Sequence, residues 1–149
     1  MSEVGTTAQD EELSQVQQML LTAVLRRQTL PGGRHPVELP DLAFVQQAGI
    51  VRVSTENVAG PLAGLVESRP IQVRSPESLR TEACAHRDIP YLTFQPAVRD
   101  ENRIRLTLQG RIATRDAERR PLGLSGLQVE FHRIDDRWEV VNPPAAFAM

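Results

Sequence analysis

Arg103-Ile104-Arg105-Leu106-Thr107-Leu108-Gln109-Gly110-Arg111-Ile112 is the stretch that decides the fold. Ile104, Leu106, Leu108 and Ile112 fall on every second position, with Gly110 in the same register. Arg103, Arg105, Thr107, Gln109 and Arg111 lie between them. A strand sends successive side chains to opposite faces, so this pattern predicts one buried face and one wet face.

Working outward, Tyr91 to Asn142 reads as four strands running back and forth. Leu92, Phe94 and Val98 mark the first, and Pro96 breaks its register, as expected at a sheet edge or a bulge. Asp100-Glu101-Asn102 turns the chain into the second strand, and Arg115 to Arg120 makes a longer connection to the third. There Leu127, Val129 and Phe131 alternate with Gln128, Glu130 and His132, while Gly123 and Gly126 suit a bulge or a tight entry. Asp135-Asp136 leads into Trp138, Val140 and Val141, and Pro143-Pro144 is expected to stop the sheet, leaving a short apolar tail over 143–149. Short connections predict antiparallel neighbours.

Upstream, residues 1–8 read as a disordered lead. From Gln9 to Gln28 the pattern is helical: Leu13, Val16, Leu20 and Val24 make a stripe that Met19, Leu21 and Leu25 widen, with Pro31-Gly32-Gly33 ending it. His35 to Pro40 reads as a proline-bounded linker. Asp41 to Ala48 is expected to be a short helix and Pro61 to Val66 a helical turn. Ile50 to Val53 and Ile71 to Val73 read as short strands. Ser75-Pro76-Glu77 combines a capping hydroxyl, a proline at the first helical position and an acid beside it, opening a helix to about Arg87. The expected architecture is one α+β domain over 9–142: a curved antiparallel sheet with a C-terminal four-strand meander. An N-terminal helix and two shorter helices pack on one of its faces.

A chain of 149 residues fits one domain. At this size folding buries roughly 68–70% of the unfolded surface, enough for a core without disulfides. The net charge is −2, which gives no long-range attraction to nucleic acid or anionic membrane. All 17 basic residues are Arg, scattered rather than clustered, so lysine chemistry such as Schiff-base formation is excluded. The single Cys84 rules out an internal disulfide and a multi-thiolate zinc site, and fits a reducing cytoplasm. With Ala83 and Ala85 beside it, Cys84 reads as a buried, inert thiol. No basic-then-apolar leader and no membrane-length apolar run occurs, so the expected localisation is cytoplasmic.

The order of elements from Gln9 to Asn142 resembles the nuclear-transport-factor-two-like superfamily, also called SnoaL-like or cystatin-like. That resemblance implies three helices wrapped against a strongly curved sheet, forming a cone with a pocket. It also implies, for the enzymes of the superfamily, an Asp–His or Tyr–Asp pair in the cone. The segments Val53-Ser54-Thr55-Glu56-Asn57-Val58, Ser75-Pro76-Glu77, Tyr91-Leu92-Thr93-Phe94, Leu124-Ser125-Gly126 and Trp138-Glu139-Val140 are also similar to those of small bacterial proteins without an assigned function.

Candidate chemistry is sparse. His35, His86 and His132 do not share metal-ligand spacing, so no metal and no cofactor are expected. Glu130 and His132 share one face of a strand, the spacing for an acid–base pair in which the carboxylate holds the imidazole. Arg105 and Arg111, with Arg103, share the wet face of the central strand; on a concave surface they would make an anion-binding floor. Leu122-Gly123-Leu124-Ser125-Gly126 lacks the spacing of a nucleophile elbow. The leading expectation is a non-catalytic small-molecule-binding or protein-interaction module, with a homodimer and a small-molecule ligand as its partners and neither nucleic acid nor membrane. The alternative is a SnoaL-like isomerase, cyclase or hydratase using Glu130 and His132. A third reading makes the chain an accessory subunit whose apolar tail docks on a partner. The direction of the Glu130–His132 face discriminates: inward beneath the helices favours the enzyme, outward the module.

Overall fold

The computed structural model describes residues 2–39, 50–60, 71–115 and 122–147. The short helix expected over 41–48 and the helical turn expected over 61–66 lie outside them. Helix α1 (Ser2–Arg26) begins at Ser2 rather than near Gln9. Its apolar stripe is where the periodicity places it: Val16, Leu20, Leu21, Val24 and Leu25 are buried. It ends at Arg26, short of the expected Gln28. Arg27 takes a left-handed conformation (φ 54°), and Gln28 N–H reaches back to Ala23 O at 2.9 Å, a residue-level stop that precedes Pro31.

The strands are β1 (Val51–Ser54), β2 (Ile71–Arg74), β3 (Ile89–Phe94), β4 (Val98–Asp100), β5 (Arg103–Ala113), β6 (Leu122–Ile134), β7 (Arg137–Val140) and β8 (Ala145–Phe147). They form a curled sheet in the order β2-β1-β3-β5-β6-β7, with β4 on β5 and β8 on β6. The expected α+β curved sheet and its antiparallel meander are present, with Tyr91 opposite Arg111 and Arg105 opposite Glu130. Pro96 splits the first meander strand into β3 and β4, both held on the same edge of β5. The β5–β6 register slips between Gln109 opposite Gly126 and Arg111 opposite Gly123, so β6 carries one extra residue there.

Three expectations are corrected. The sheet is mixed, not antiparallel throughout, because β1 runs parallel to both β2 and β3. Helix α2 (Pro76–Ala85) carries the chain from β2 across to β3, and a helical crossover returns the next strand in the same direction. The helices also do not share a face. Around α1 gather Val51, Val53, Leu92, Phe94, Ile104, Leu106, Leu108, Val129 and Phe131. Leu79 and Ala83 of α2 instead cover Ile89, Tyr91 and Ala113, whose side chains alternate to the other side. Finally, Pro143-Pro144 does not end the sheet: the tail returns as β8, beside β6 at Gly126 to Gln128.

Helix α2 starts as its sequence dictates. Ser75 Oγ accepts from Ser78 N–H at 3.1 Å, and Pro76 occupies the first turn. It ends at Ala85 with His86 as its cap, and Cys84 is half-buried rather than buried. Glu82 fastens it to the strands below through Arg52 at 3.2 Å and Arg74 at 3.8 Å. Among the described residues no helix is long and apolar enough to cross a membrane.

Candidate functional site

Glu130 and His132 stand on the sheet face away from α1, as their alternation with the buried Val129 and Phe131 requires. His132 Nε2 lies 3.4 Å from Glu130 Oε1, so the pair is brought together. The same carboxylate oxygen is 3.5 Å from Arg103 Nη1, and Arg103 in turn holds Asp100 at 2.7 Å. Glu130 is thus one member of a surface ion network. Arg103, with its bonds to Asp100, holds that carboxyl below its ordinary range. Arg105 is exposed directly across from Glu130.

Arg111 is set apart from these. It is half-buried beside α2, with Tyr91 as its cross-strand neighbour. Its Nε donates to Gln109 Oε1 at 2.8 Å, an oxygen that also accepts from Gln95 Nε2 at 2.7 Å. Burial pushes the Tyr91 phenol above its ordinary value; the charges of Arg111 and Arg80 pull it down and Glu56 pushes it up. The sequence marked Arg111 but missed Tyr91, Thr93 and Gln109 as its surroundings, because only the pairing register puts them together.

A separate cavity of about 600 Å³ opens on the α1 side of the sheet. One wall is the segment after α1, including Leu30, Gly33, His35 and Val37; the other is Leu127, Val140, Pro144 and Ala146. The first wall is a small hairpin: Thr29 bridges Pro36, and Val37 N–H donates to Gln28 O at 3.0 Å. Pro31 O then accepts from Val140 N–H at 2.9 Å, pinning the hairpin along β7. Gly32 makes the close approach feasible, since its φ is +82° and a Cβ there would meet Val140 O at 2.5 Å. His35 to Pro40, read as a linker, therefore begins in a cavity wall. The proline and glycine pairs that read as stop signals are what turn the two walls toward each other.

The volume is that of a drug-sized ligand pocket, and its walls are mainly apolar with Arg34, His35, Glu38 and Asn142 interspersed. No group of His, Cys, Asp and Glu able to hold a metal ion occurs among the described residues. In comparisons with known proteins, no family model matches the chain, and neither a curated protein nor a solved structure gives a significant match.

Proposed function

We propose that this protein is a non-catalytic module that binds a small, largely apolar molecule. The observation that carries the reading is the cavity between the 30–38 hairpin and the β7–β8 connection. Its apolar walls would recover hydrophobic free energy from a ligand at roughly 25 cal/mol per Å² removed from water. The outward direction of Glu130 and His132 supports a module, because these groups lie on the other face of the sheet from the cavity. The enclosure of α1 by a curled sheet supports the nuclear-transport-factor-two-like resemblance as part of the same proposal. The lone Cys84 supports a cytoplasmic setting, and the exposed Arg103, Arg105 and Gln128 on the sheet face away from α1 support a homodimer.

Native mass spectrometry of the purified protein, followed by titration with 1-anilinonaphthalene-8-sulfonate, tests the reading. The expected result is an added small mass or saturable dye fluorescence, lost in Ala146→Trp, which fills the cavity from its rim. Dye binding that persists undiminished in a folded Ala146→Trp variant would sink it. The acid–base alternative rests on the 3.4 Å contact of His132 with Glu130. It predicts that His132→Ala abolishes turnover of any substrate found while leaving cavity binding intact.

A further inference from the structure

The cavity between the 30–38 hairpin and the β7–β8 connection sorts its lining by depth. Its buried members are Leu30, Val37, Leu127 and Val140, all aliphatic. Among the described residues no Phe, Tyr or Trp lines it, so an aromatic ligand would find no ring to stack on. The backbone of the floor is closed to a polar ligand as well. The N–H groups of Gly33, Val37 and Val140 already donate to the carbonyls of Leu30, Gln28 and Pro31. Pro36, Pro143 and Pro144 in the walls have no N–H. A polar ligand group carried to that depth would lose its hydration and find those donors taken.

The polar side chains stand at the mouth instead. Arg34, His35, Glu38 and Asn142 line the cavity and all are exposed. Arg34, His35 and Asn142 bring donors, against the single carboxylate of Glu38. Arg34 lies in the loop that joins the bridged Thr29 and Pro36. It forms no ion pair among the described residues, with Glu38 or with any other acid, so its guanidinium is free for a ligand.

We propose that the cavity takes an aliphatic carboxylic acid, with its chain against Leu30, Val37, Leu127 and Val140 and its carboxylate at the mouth on Arg34. The inference rests on the cavity reading above and names the class of ligand. A floor of branched aliphatic side chains recovers the hydrophobic free energy of an alkyl chain without asking for a ring. The planar fork of a guanidinium matches a carboxylate in shape and charge. The head group keeps its remaining hydration because the mouth is exposed.

Isothermal titration calorimetry of the full chain with four probes tests the assignment: octanoate, octyltrimethylammonium, 1-octanol and 1-naphthoate. Octanoate should bind most tightly, and its binding should disappear in Ala146→Trp. Arg34→Gln should weaken octanoate about fivefold, the size of an exposed ion pair, and leave 1-octanol unchanged. Arg34→Lys should restore most of the loss, and Glu38→Gln should not weaken octanoate. Tighter binding of 1-naphthoate overturns the aliphatic assignment, and tighter binding of octyltrimethylammonium overturns the anionic one. Equal octanoate affinity in Arg34→Gln and the unaltered chain removes Arg34 from the site and overturns the proposal. In these three cases binding that is still lost in Ala146→Trp leaves the cavity reading standing. Failure of all four probes to bind, or octanoate binding that survives in a folded Ala146→Trp variant, brings down the cavity reading and the ligand class together. Should Ala146→Trp fail to fold, Val141→Trp from the same rim decides in its place.

Discussion

The side chain of Gln17, fully buried in α1, is bonded in both directions to the loop that follows β1 and carries Asn57. Its Nε2 donates to Asn57 O at 2.7 Å, and its Oε1 accepts from Ala59 N–H at 3.0 Å. Asn57, at φ 61°, passes the connection on by donating from Nδ2 to Phe94 O at 2.9 Å. Two carboxamides in series, those of Gln17 and Asn57, therefore join the helix, the loop after β1 and the end of β3. Gly60 lies against the same helix, where a Cβ would meet Ser14 Oγ at 2.6 Å.

Gln17→Leu keeps the volume but removes both bonds, leaving Asn57 O and Ala59 N–H unpaired. Unsatisfied groups of this kind cost about 1–3 kcal/mol, and because the loop is partly exposed the lower half of that range is expected. Chemical denaturation should show the loss as a lower midpoint with an unchanged slope.

Gly32→Ala should be worse than a usual surface substitution. The position needs positive φ, and the added methyl would meet the backbone oxygen of Val140. Left-handed strain of about 1 kcal/mol adds to the displacement of the hairpin from β7. Thermal unfolding should report the destabilisation, and binding of a cavity ligand should weaken with it, since one wall moves.

Asp100 should make stability depend on acid. Its hydrogen bond from Arg103 comes first among the causes that lower its pKa, followed by the bond from Glu101 N–H. A depressed folded pKa stabilises the native state above the ordinary value of 3.8, and that contribution is lost as pH falls through the folded pKa. The stability difference between the unaltered protein and Asp100→Asn should thus be present at neutral pH and vanish below that range. Denaturation midpoints for both proteins across the acid limb check it; a difference that persists in strong acid contradicts the assignment.

Tyr91 is the single tyrosine, so its ionisation can be followed by phenolate absorbance. Burial should delay the transition beyond its ordinary 10.0, and the folded protein should lose stability as pH rises above that value, because the unfolded chain releases the proton first. Removing the cation in Arg111→Gln should push the transition higher still. A shift downward in that variant would show that Arg111 does not act on the phenol.

The sequence by itself determined the elements whose physics is local. Alternation of Ile104, Leu106 and Leu108 defined β5 and its buried face, because a two-residue period leaves each side chain one choice of side. Ser75-Pro76 defined the start of α2, because capping and a missing N–H act within one turn. The stripe from Val16 to Leu25 defined the buried face of α1. Glu130 and His132 could be placed together on one face by spacing alone.

Tertiary structure decided the rest. No local signal distinguishes parallel from antiparallel pairing for strands as short as β1 and β2; only their place in the folded sheet, with β1 parallel to both β2 and β3, settles it. Nor can an amphipathic pattern say which side of a sheet a helix will cover, so α2 lies opposite α1. The cavity joins residues near His35 to residues near Pro144, and its floor sets Leu30 and Val37 beside Leu127 and Val140. Both depend on which distant side chains the folded chain brings within a few ångströms, a quantity that periodicity does not encode.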